Sequence, residues 1–148
     1  MLNERLNFLY KKLNEGFTLI EIMVALCILS FGILAVASMQ TSAIRGNSSA
    51  RDLTEATVLA HDKVEELITL QYNHAYLQDM SGDGDNGLAD VGANADYQET
   101  QGKYTIYWNI SQNSSINNTK TIRIILTWTE NGKERNISID YIKSLGGS

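Results

Sequence analysis

Apolar side chains run almost without interruption from 17 to 39, FTLIEIMVALCILSFGILAVASM, and Glu21 is the only ionisable group there besides the Cys27 thiol. A hydrocarbon core of ~30 Å takes about 20 helical residues, so this stretch is long enough to cross a membrane as an α-helix. Beyond it the period stays helical. Leu53, Ala56, Ala60, Val64, Leu67 and Ile68 recur at spacings of three and four and form one apolar stripe, opposite Arg51, Asp52, Glu55, Asp62, Glu65 and Glu66. The pattern predicts one long helix with a membrane half at 17–39 and an amphipathic half at 40–72. Gly46-Asn47-Ser48-Ser49 marks a soft spot, where Ser49 and Asp52 form a weak capping box if a new helix starts. Proline is absent from the chain, so Gly32 and Ser38 are the remaining candidates for a local bend.

From 73 to 102 the periodicity fades, and SGDGDNGLADVGANAD reads as a Gly/Asp-rich loop region. The period then changes to two. Tyr104, Ile106, Trp108 and Ile110 alternate, as do Ile122, Ile124, Leu126 and Trp128, and then Ile137, Ile139 and Tyr141. Asn131-Gly132 between the last two runs is a type I′ hairpin signal. Residues 103–148 are therefore predicted to form an antiparallel sheet of three to four strands, whose apolar face covers the helix stripe. The fold class is α+β, a long N-terminal helix packed on a small sheet.

Charge narrows the function classes. The formal net charge is -5 over 148 residues, against a surface made for nucleic acid, which needs clustered Lys and Arg. One cysteine allows no intramolecular disulfide and no thiolate cluster, and Cys27 reads as a small buried apolar residue.

The chemistry-bearing feature is the junction Glu15-Gly16-Phe17-Thr18-Leu19-Ile20-Glu21. Upstream lies the leader MLNERLNFLYKKLNEG, whose Lys11 and Lys12 keep it on the cytoplasmic side and send the rest of the chain outward. A secretory signal has a shorter apolar region and a small-residue cleavage site after it; here the apolar run is longer and continues as helix. An ionised acid near the centre of a membrane helix costs ~2.5 to 3.5 kcal/mol on insertion scales. Removal of the leader at Gly16 would give Phe17 a free α-amine, a cation able to neutralise Glu21 of the same or a neighbouring helix.

The basic leader, Gly16-Phe17, Thr18-Leu19-Ile20, Glu21 and the uninterrupted apolar helix together resemble the class III signal of type IV prepilins and type II secretion pseudopilins. The resemblance implies that a prepilin peptidase removes the leader 1–16 by cutting after Gly16 and that Phe17 becomes N-methylated. The stretch MQTSAIRGNSSARDLTEATVLAHDKVEELITLQY, with Leu59, Ala60, Asp62 and Glu65, is similar to the minor pilins of the PilV-type pilus-modification family. That likeness implies a structural minor pilin that joins major and minor pilins in the complex initiating or capping a type IV pilus, with Glu21 setting assembly register. The implied partners also include the assembly platform in the inner membrane. The implied locations are the inner membrane, N-terminus cytoplasmic, and then the pilus, with the globular part periplasmic or extracellular. A minor pseudopilin of a type II secretion system shares the same signal and plan. A single-pass membrane enzyme or sensor with a small periplasmic domain is the alternative from another class.

Asp83, Asp85 and Asp90, with Gly87, resemble a calcium loop and are candidate metal ligands, although the fifth position is Gly87 and Asn94 stands where a bidentate Glu is required. A solvated turn competes with that reading, and no other cofactor is expected. His61 and Glu65 lie one helical turn apart without a nucleophile, and His74 stands alone, so no catalytic residue is assigned. Tyr104, Tyr107, Trp108 and Trp128 are expected to fill the sheet and its faces.

Overall fold

The structure is a computed structural model that describes residues 17–112 and 116–145. The leader 1–16, Gly16 included, lies outside the described residues. One helix, α1 (Leu19–Thr69), is followed by three short 3₁₀ turns, at Ala75–Leu77, Gly84–Ala89 and Gly92–Asn94. Four strands then complete the chain: β1 (Tyr97–Gln101), β2 (Tyr104–Gln112), β3 (Thr119–Glu130) and β4 (Lys133–Ser144). The chain divides into two compact units, Met1–Asn47 and Ser48–Ser148.

In the first unit every described side chain is exposed. Cys27, expected to be buried, lies on the helix surface, where none of the unit's described residues packs against the helix. α1 is continuous through 46–49. With no proline and no restart there, the Ser49–Asp52 capping box is not formed.

The second unit carries the core. The strands form one antiparallel meander in the order β1-β2-β3-β4. The β3–β4 hairpin closes at Asn131 (φ 50) and Gly132 (φ 74), both left-handed as a type I′ turn requires. The predicted alternation holds: Tyr104, Ile106, Trp108 and Ile110 of β2 and Ile122, Ile124, Leu126 and Trp128 of β3 are buried on one face. Ala56 and Ala60 of α1 are fully buried against this cluster, small residues that let helix and sheet come close.

The predicted stripe needs correction at its flanks. Ala56, Ala60 and Leu67 are buried and Val64 is half-buried, but Leu53 and Ile68 are exposed, and Lys63 takes a buried place on the helix. The Lys63 ammonium donates to Glu66 and Glu99, each at 2.6 Å, and lies over the Trp108 ring at 4.8 Å. Burial opposes its charge, yet the two carboxylates outweigh burial and hold its pKa above the ordinary lysine value.

The loop region also differs from the expectation. It ends in β1, whose sequence YQETQ lacks apolar alternation but pairs along β2 from Tyr97↔Trp108 to Gln101↔Tyr104. Residues 79–96 are largely solvent-exposed, yet Asp85, Leu88, Asp90 and Asp96 tie the segment to β2 by hydrogen bonds. The buried Asn109 side chain accepts from Asp96 N and donates to Leu88 O and Asp90 O, and Asp96 Oδ2 accepts from Ile110 N. A Cβ at Gly87 would stand 1.9 Å from Asp83 Oδ1, so a larger residue there would push the Asp83 side chain aside.

The end of α1 is held from the sheet. The helix has no basic residue in its last turn. Instead, Lys143 donates to Ile68 O at 2.5 Å, and Lys120 donates to Tyr72 O at 2.9 Å and Leu77 O at 2.6 Å. Lys120 and Lys143 are cross-strand neighbours. Two ammoniums side by side repel, and the carbonyls at a helix C-terminus favour cations there. Burial with carbonyl acceptors alone lowers the Lys120 pKa.

Candidate functional site

The junction residues meet the start of α1. Thr18 stands just outside the helix, its Oγ1 accepting from Glu21 N at 3.2 Å while its carbonyl accepts from Ile22 N at 3.2 Å. Thr18 is therefore the N-cap, a role worth about 0.5 to 2 kcal/mol, and Glu21 falls in the first turn, where the helix dipole favours a carboxylate by about 0.3 to 1 kcal/mol. That gain is smaller than the ~2.5 to 3.5 kcal/mol cost of an acid deep in hydrocarbon. A further cation is needed if Glu21 is to enter an apolar bundle. The Thr-x-x-Glu spacing was visible in the sequence as a capping signal, but the acid's relation to Phe17 overshadowed it.

Phe17, at 79% exposed, immediately precedes Thr18 and the helix. Phe17 and Glu21 are thus held on one short, capped segment, while Gly16 lies outside the described residues. From Leu19 onward α1 is long and apolar enough to cross a membrane, with a window of mean hydropathy 2.7, none of it buried in the fold. Two of its hydroxyls are satisfied within the helix: Ser30 Oγ donates to Leu26 O at 2.7 Å and Thr41 Oγ1 to Ala37 O at 3.0 Å. A polar group in lipid needs such an internal partner.

The other candidates do not converge. Asp83 Oδ1 accepts from Ser81 Oγ at 2.7 Å, and Asp85 Oδ1 accepts from Ser111 Oγ at 2.5 Å. Asp79, which the sequence reading did not single out, takes the amides of Gly82 and Gly84. Among the described residues no three His, Cys, Asp or Glu side chains gather as a metal-binding set. His61 and Glu65 are exposed on α1, and His74 caps the first 3₁₀ turn by accepting from Tyr76 N at 3.2 Å.

Residues 11–37 match the family model of the prokaryotic N-terminal methylation motif. The match covers 27 of the 148 residues, spans the junction and the membrane-capable start of α1, and supports the reading of this N-terminal segment as a type IV prepilin-like signal. The motif points to a structural subunit, implies processing by a prepilin peptidase and association with pilins, and is consistent with inner-membrane anchoring through α1. No curated protein and no solved structure matches the chain.

Proposed function

We propose that this chain is a minor pilin of the PilV type, cut after Gly16, N-methylated on Phe17 and built into a type IV pilus in the complex that initiates or caps assembly. The observation that carries the reading is the coincidence of the methylation motif at 11–37 with a capped helix start at Thr18 and an apolar helix exposed on every side. Before assembly the apolar half of α1 stores the subunit in the membrane with its N-terminus cytoplasmic. During assembly the same surface packs against neighbouring helices, and the Phe17 amine of one subunit pairs with Glu21 of another to set axial register. The protein acts by position and contact, without catalysis.

The test is recovery of the protein in filaments sheared from cells. Its presence there, together with other pilin subunits, supports the proposal. Confinement to the membrane of cells that assemble pili normally speaks against it, and copurification with a type II secretion machine selects the pseudopilin reading instead.

A further inference from the structure

The two edges of the sheet are unlike. β1 is five residues long and exposed at every position but Tyr97. β4 is twelve residues long and pairs with β3 without a break from Glu130↔Lys133 to Thr119↔Ser144. Of the usual means of blunting an edge, β4 lacks short length, proline and bulges, and it relies on charge alone: Lys133, Glu134, Arg135, Asp140 and Lys143. Its helix-side residues Ile137, Ile139 and Tyr141 are only half-buried, whereas their β3 partners Leu126, Ile124 and Ile122 are at most 1% exposed. The core stops one strand short on this side.

The meander determines what can complete it. Four strands joined by antiparallel pairings make β1 and β4 run in opposite directions. A second copy standing beside β4 in the same orientation therefore offers its β1 antiparallel to β4, with the packed helices of the two copies parallel. Pairing β4 with β4 would turn those helices against each other, although each leads at its N-terminal end into the same apolar, membrane-capable segment.

We propose that β4 takes β1 of a second copy of this chain as a fifth strand, with Glu99 of β1 opposite Arg135 of β4. That register places Tyr97 opposite Ile137 and Gln101 opposite Lys133 on the helix side, and Gln98 opposite Asn136 on the other side. The charges fit. Glu99 is half-exposed and gives only Oε2 to Lys63, and Arg135, also exposed, uses Nε toward Glu130 at 3.3 Å. The Glu99 Oε1 and the guanidinium's terminal nitrogens remain for each other. Sliding the strands by two residues one way would set the Glu99 carboxylate on Ile137 and forfeit the ion pair; sliding them the other way would set it opposite Lys133 but carry Gln101 past the end of β4 to Asn131. The contact is heterologous, so each copy uses one edge toward each neighbour and the sheet grows without closing. Like orientation rests on the reading of the chain as a membrane-stored filament subunit; the register rests on the sheet alone.

The experiment uses the full chain with Cys27→Ser in its own membrane and two differently tagged copies, one carrying Gln98→Cys and the other Asn136→Cys. Both positions are exposed, so folding is undisturbed. Mild oxidation is expected to join the two tags in a mixed dimer, to leave each variant alone monomeric, and to give a ladder when both cysteines stand in one chain. Absence of the mixed dimer, a dimer of Asn136→Cys with itself, or capture of a different chain in its place would overturn the proposal. Leader removal is followed in the same samples: processed protein without crosslink refutes the edge contact alone, whereas unprocessed protein refutes the prepilin reading and leaves the crosslink to decide the edge.

Discussion

Thr18 and Glu21 share the first turn of α1, and the magnitudes there assign them different work. Capping and dipole act within one chain and help start the helix, but they are too small to carry an acid into an apolar bundle; on the proposed function, the Phe17 amine freed by a cut after Gly16 supplies the rest. Glu21→Ala is accordingly expected to leave processing and membrane insertion intact and to reduce filament incorporation about tenfold, the factor a coupling of ~1.4 kcal/mol gives. Quantifying the subunit in sheared filaments checks this, and unchanged incorporation would sink the pairing. Elsewhere, Arg123 donates to both oxygens of Asp140, at 2.6 and 2.7 Å, and this bond holds the Asp140 carboxyl below the ordinary aspartate value despite partial burial. A folded pKa below the unfolded one contributes stability above the ordinary carboxylate range and loses it as pH falls through the folded value. The pair is exposed, so its worth is about 0.2 to 1 kcal/mol. Arg123→Ala should therefore cost that much near neutral pH in thermal melts, with the difference shrinking on acidification; a difference independent of pH contradicts the assignment. The position of Phe17 and Glu21 at the start of α1 was legible because it follows from order along the chain, while Gly16 lies outside the described residues. The buried place of Lys63 was not, since its partner Glu99 lies 36 residues away.

At the scale of elements, the strands that face the helix were readable by alternation, and Asn131-Gly132 by its turn chemistry. β1 was missed because a polar edge strand shows no alternation and owes its place to pairing with β2. The loop at 79–96 was readable as a loop but not as a layer on the sheet, because its bonds to Asn109, Ile110 and Ser111 are set by tertiary position. Asp79, Asp83 and Asp96 meet at Ser81 Oγ, and loop and β2 amides and the Ser111 hydroxyl engage the remaining oxygens; the carboxylates do not form a metal-binding set among the described residues. Calcium or chelator is thus expected to leave the melting curve unchanged, and a rise in melting temperature with calcium would restore the metal site. The end of α1 depends on lysines that no local pattern connects to it. Lys120→Met removes the donor from two carbonyls and is expected to lower stability by about 1 to 3 kcal/mol, the cost of orphaning buried polar groups. Denaturant unfolding measures it, and a stabilised variant would show that desolvation of the ammonium outweighs its bonds.

For the whole molecule, the proposed assembly gives two surfaces to other chains: the apolar half of α1, exposed along all its described residues, and the β4 edge, where Ile137, Ile139 and Tyr141 are only half-buried. The α+β architecture was legible from two periods, 3.6 and 2, following one another along the chain. The PilV-type likeness rests on Leu59, Ala60, Asp62 and Glu65, of which Ala60 is buried and Leu59 half-buried, while Asp62 and Glu65 are exposed. Half of that pattern is therefore packing and half surface, so the fold accounts for only part of it. Processing and assembly become one mechanism if cleavage supplies the cation that Glu21 requires. N-terminal sequencing, with mass measurement of the mature protein from cells, tests this most directly. The expected result is a chain that starts at Phe17, lacks the 16-residue leader and carries one added methyl group on its α-amine. An intact leader, or a mature chain beginning anywhere else, would contradict it.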